Sequence, residues 1–158
     1  MTSTIDDFFK PTSIIVAKDI IGMQIEGNAG KYTISGTKPY SGDSKQTANR
    51  PRYMHGSIMV FNMRGNPHFC ISTGEGSIQD YFLIHNLIGE DGSKYNNAKQ
   101  VSNILGMDMD HDGRRFSDFF NIVGSSLEAS FEKNPNDAST CLGVYKLSDC
   151  QIVRQQLE

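Results

Sequence analysis

The densest group of chemistry-bearing residues is Asp108-Met109-Asp110-His111-Asp112-Gly113, with carboxylates at alternate positions and a glycine sixth. That spacing opens a calcium-binding loop, in which alternate oxygens face the cation and the glycine makes the turn. Such a loop closes with a bidentate glutamate at its twelfth position. Here that position is Phe119, and Arg114 and Arg115 would set positive charge beside the ion. The segment therefore reads as an acidic turn between two helices. His55, His68, His85 and His111 give no pair within one helical turn, and no C-x-x-C accompanies them, so no metal site is expected. Gly74-Glu75-Gly76 lacks the lysine and helix start of a phosphate loop, and no cofactor is expected. The basic residues are more informative. Lys31, Lys38, Lys45, Arg50, Arg52 and Arg64 fall in one stretch against a single acid, Asp43. A local basic surface on an otherwise acidic body suits a short phosphate-bearing partner such as DNA.

Positioning these residues requires a scaffold. The 158 residues, with net charge −3, read as one domain, residues 1–158, large enough to bury its own core. Pro11-Thr12-Ser13 before Ile14, Ile15, Ala17, Ile20 and Ile21 predicts a capped helix that stops at Gly22. Met23–Glu26 and Lys31–Ser35 predict a hairpin around Gly27–Gly30. Thr37–Met54 is poor in aliphatic residues and is expected as a long loop. Ser57–Asn62 and Phe69–Thr73 predict a second strand pair, turning at Gly65-Asn66-Pro67, and Tyr81–Leu87 a further strand. Asn97–Leu105 has helical spacing and ends at Gly106, while Ser117–Val123 is expected as a short helix. Leu127–Phe131 and Leu142–Tyr145 complete the strands, so the class is α+β. Asp6 and Asp7 are wrong for a secretory leader, and no apolar run approaches the roughly 20 residues of a membrane span. Cys70, Cys141 and Cys150 read as reduced thiols, so an intracellular (cytoplasmic or nuclear) protein with no membrane partner is expected.

The order of features resembles the alkyladenine (3-methyladenine) DNA glycosylase family over about two-thirds of the chain. Phe8-Phe9 and Ala17–Gly22 are similar to that family's phenylalanine pair and first helix end. Gly36-Thr37-Lys38-Pro39-Tyr40 stands where the family has E-T-E-A-Y, and Gln46–Arg50 with Met54–Gly56 resembles its polar segment and glycine turn. Ser57–Phe61, Gly65 and Phe69–Ser72 resemble the hairpin that carries the intercalating tip, and Asn97–Met107 the G-P-x-K-L helix. The resemblance implies a curved antiparallel sheet with flanking helices, and an ancestry of flipping damaged purines and hydrolysing their glycosidic bonds.

The departures fall on the residues that would work. Lys38 occupies the position of the carboxylate that activates water, and an ammonium is no general base unless its pKa is strongly depressed. Tyr40 matches one wall of the base pocket and Phe61 replaces a tyrosine at the other, a change that still permits stacking. The family's base-contacting histidine has no counterpart, its position falling at Asn49 or in a deletion, depending on where the gap is placed, and His85 stands for an arginine beside the pocket. Arg64 replaces the aromatic wedge, and arginine can enter a minor groove or stack on a base. The resemblance thus implies a degenerate glycosylase without base excision, kept as a nucleic-acid-binding or structural module, with Arg64, Arg50, Arg52 and Lys45 as contacts. The alternative is an altered enzyme in which Lys38 attacks the sugar as a Schiff-base nucleophile. A third reading is a protein-binding role through Met54, Met59, Met63, Met107 and Met109.

Overall fold

The computed structural model describes residues 5–41, 53–74, 80–135 and 141–148. Among these residues, nine strands form one antiparallel sheet flanked by two α-helices, an α+β arrangement. A 3-10 turn over Ile5–Phe9 leads into α1 (Ser13–Asp19). Then come β1 (Gln24–Gly27), β2 (Gly30–Tyr40), β3 (Ile58–Met63), β4 (Asn66–Thr73), β5 (Asp80–Gly89) and β6 (Lys94–Tyr95). After α2 (Ala98–Leu105) follow β7 (Asn121–Val123), β8 (Ala129–Lys133) and β9 (Gly143–Leu147). The sheet order is β3-β4-β5-β2-β1-β7, with β6 on β5, and with β9 on β2 and β8 on β9.

The first helix begins where expected, with Thr12 at its N-cap in extended conformation. It buries Val16 and Ala17, and the chain turns out of it at Gly22, with φ 89°. A side chain there would also collide with Leu127 at 2.5 Å, so both backbone and space require glycine. The second helix is closed at both ends. The Asn97 side chain accepts from the Gln100 N–H, and Gly106 takes the left-handed conformation with φ 71°.

Strand alternation divides the apolar residues between the two faces of the sheet. Under the helices lie Phe9, Ile20, Ile34, Phe69, Phe82, Ile84, Leu105 and Phe116. Phe9 anchors this side by stacking on Phe82 and meeting Phe116 edge-on at 5.4 Å. Burial of each such side chain stabilises by about 1.5–3 kcal/mol. The other face carries Met59, Phe61, Cys70, Tyr81 and Leu83, with Tyr40 and Tyr53 packed against them.

Pairing of β4 with β5 runs from Thr73–Asp80 to Cys70–Leu83, and beyond it α2 takes over as the neighbour of β4. There the buried N–H of Phe69 donates to the Ser102 hydroxyl of α2 at 3.2 Å. The outer edge of β3 is covered by residues 108–116. Ile58 donates its N–H to the Arg114 carbonyl and accepts from the Gly113 N–H, and Asp112 accepts from Val60 N–H at 2.8 Å and from the Tyr53 hydroxyl at 2.7 Å. An Arg115–Asp6 ion pair at 3.1 Å fastens the N-terminal turn to the same edge.

Three sequence expectations are corrected. Thr37–Tyr40 is strand, not loop: β2 pairs with β5 as far as Tyr40–Tyr81. Pro39 is tolerated because its carbonyl, and hence its missing N–H, faces Leu142 and not β5. Ser117–Val123 is not a helix but a 3-10 turn, Phe116–Asp118, followed by β7, which pairs with β1. The second hairpin turns at Arg64-Gly65, with Asn66 and Pro67 already in β4 and paired to Met63 and Asn62. No helix among the described residues is long and apolar enough to cross a membrane.

Candidate functional site

Lys38, Tyr40 and Phe61 share the sheet face away from α1. Cross-strand partners in a ladder project to the same side. Lys38 pairs with Leu83, Leu83 with Cys70, and Cys70 with Met59, which places Lys38 in a row with three buried apolar side chains. Tyr40 pairs with Tyr81, and Phe61 with His68.

The three rings on this face form one cluster. Tyr40 and Tyr81 stack with centroids 4.9 Å apart and planes within 4°, and Tyr81 meets Phe61 at 5.4 Å. In the sheet order β5 lies between β2 and β3, so Tyr81, 1% exposed, fills the space between the strands that bear Tyr40 and Phe61. Each such pair is worth about 0.5–1.5 kcal/mol beyond its burial. Burial, then Cys141, Cys70 and Tyr81 nearby, push the Tyr40 phenol well above its ordinary value. It therefore stays protonated at neutral pH, a hydrogen-bond donor and not a base.

Lys38 is half-buried and makes no ion pair among the described residues. Its charge reaches two histidines. His68 is lowered from the ordinary histidine value by burial and then by Lys38. His85 is lowered chiefly by burial, with Lys38, Lys146 and His68 adding to the effect, and its hydrogen bond to Asn86 opposing it. Both are neutral imidazoles near pH 7. The one acid at the start of β5, Asp80, accepts the Ser13 N–H of α1 at 3.4 Å on the opposite side of the sheet. Activating water for attack on a glycosidic carbon needs a carboxylate. Lys38, an ionisable residue of β2 on this face, is a cation.

Arg64 is exposed at the tip of the β3–β4 hairpin, and it is the one non-glycine at positive φ among the described residues, at 54°. Beside the tip is a cavity of about 300 Å³ that includes Asp108 and Asp110. These carboxylates belong to the calcium-like segment, in which Asp108 and Asp112 are bound to protein partners. Asp108 accepts from the Asp110 N–H and pairs with His111, Asp112 holds Tyr53 and Val60, and Phe119 packs edge-on against His111 at 5.0 Å. The segment is a buttress for β3, and it lies between α2 and a 3-10 turn, not between two α-helices. No group of three potential ligands that could hold a metal is found among the described residues.

Of the basic stretch, Lys31 pairs with Glu26 at 3.4 Å. Lys45, Asn49, Arg50 and Arg52 lie outside the described residues, as does Cys150. The sequence reading missed Tyr81, whose alternation with Leu83 on β5 was the available signal. It also missed Lys94 and Lys146, which share the Lys38 side of the sheet. The chain matches no model of a known protein family, and no curated protein is significantly similar to it.

Proposed function

We propose that the chain is a diverged relative of the alkyladenine DNA glycosylases that binds nucleic acid on the Lys38 face of its sheet without excising bases. The observation that carries this reading is the filled ring cluster. A flipped base sandwiched by Tyr40 and Phe61 would need the space that Tyr81 occupies, and Tyr40 and Tyr81 are already in stacking contact. Lys38 at the water-activating position argues in the same direction, since its charge would repel the oxocarbenium-like transition state. Binding is supported by the cations on this face, Lys38, Lys94 and Lys146, and by the exposed Arg64 at the hairpin tip.

The test is fluorescence anisotropy with duplex, abasic and single-stranded oligonucleotides over a range of salt. The expected result is binding that weakens linearly in log salt, with a slope of about 0.7–0.9 per phosphate contacted. A protein that binds none of these, or binds them independently of salt, is not a nucleic-acid-binding module.

A further inference from the structure

We propose that the cleft between β5–β6 and β8–β9, bordering Lys38, is a phosphate-binding site that takes one backbone phosphate of a nucleic-acid strand. This rests on the reading above and gives it a location. The cleft encloses about 310 Å³ and is lined by Ser35, Asn86, Lys94, Asn96, Ser130 and Lys146, among others, with no carboxylate among the described residues of the lining.

The sheet register builds it. Gly36 pairs with Asn86 on one side and with Lys146 on the other, so these two side chains flank a bare glycine in a single rung. The glycine is required, because a Cβ at residue 36 would lie 2.2 Å from Asn86 Oδ1. Lys38 is two residues along β2 on the same side, roughly 6.6 Å from the rung at about 3.3 Å per residue.

Hydrogen bonds order the polar groups of the cleft. Asn86 Oδ1 lies 2.7 Å from His85 Nδ1. A carbonyl oxygen only accepts, so Nδ1 carries the proton. The Asn86 amide nitrogen donates to Asn96 Oδ1 at 3.4 Å, and the Ser130 hydroxyl donates to the Lys146 carbonyl at 3.4 Å. Neither Lys94 nor Lys146 is in an ion pair among the described residues. Two cations lining one cleft beside amide and hydroxyl groups suit an oxyanion and repel a metal ion.

The test has two arms on the full chain. In the first, inorganic phosphate is titrated into labelled protein and followed by amide NMR. Resonances of Ser35, Asn86 and Lys146 are expected to shift and saturate in the millimolar range, and to stop responding in the K94Q/K146Q variant. In the second, K94Q/K146Q is compared with the parent for a single-stranded oligonucleotide. The expected result is about tenfold weaker binding at 0.1 M salt and a salt slope smaller by about 0.7, the loss of one phosphate contact. Both lysines are exposed, so the variant keeps its fold. No phosphate response in the parent overturns the site. An unchanged oligonucleotide slope in a protein that does bind DNA overturns its use for a backbone phosphate and leaves the binding reading intact. A phosphate response without any DNA binding removes the nucleic-acid reading and its backbone phosphate, leaving a site for free phosphate.

Discussion

At Arg64 the backbone and the side chain ask for different residues. A two-residue hairpin turn with both central residues at positive φ favours Asn-Gly, and a long side chain at φ 54° costs stability there. Arg64→Asn is therefore expected to stabilise the protein by about 0.5–1 kcal/mol in urea unfolding, and to weaken DNA binding in the anisotropy measurement. If affinity is unchanged, the arginine has no part in binding. Lys38 and Arg64 were visible in the sequence as departures from the glycosylase pattern, and Tyr40 and Phe61 as rings in keeping with its base pocket. Tyr81 was not, because which ring lies against Tyr40 depends on strand register, and β5 slips its register with β2 at His85. Lys94 and Lys146 escaped for the same reason: they are far apart in sequence and share a cleft through pairing on opposite sides of β2.

The elements were easier to read than their ends. Both helices, both hairpins and the last strand pair follow from apolar spacing and glycine position, because those signals are local. Thr37–Tyr40 looked like loop because its residues are polar or small, yet the neighbouring strand dictates its pairing. The wedge of α2 between β4 and β5 had no sequence signal, since it depends on one long-range bond, from the Phe69 N–H to Ser102. Ser102 is 1% exposed, so Ser102→Ala leaves that buried donor unpaired. A loss of about 1–3 kcal/mol in unfolding free energy is expected, with Ser102→Thr losing less. Equal stability in the alanine variant would mean that the wedge is held by packing alone.

For the whole molecule, the Lys38 face sets a pH dependence. His68 and His85 are held below the ordinary histidine value, in the first place by burial. As pH falls below about 6.5 the unfolded chain takes up protons at these positions and the native one does not. Their contribution to stability is thus complete above that pH and is lost as pH falls through the lowered native values. The parent is expected to lose more stability between pH 7 and pH 5 than a His68→Gln/His85→Gln variant, measured by urea midpoints. Equal losses would show that neither ring is held neutral. The net charge of −3 gave no hint of this, because a sum does not say which charges the fold brings beside a histidine. The central claim, binding without cutting, is tested most directly by a single-turnover reaction with excess protein on a duplex containing one hypoxanthine. The complex is read by anisotropy and the free base by chromatography of the same sample. The account predicts a saturated complex with no hypoxanthine released, and release of the base by the bound protein would contradict it.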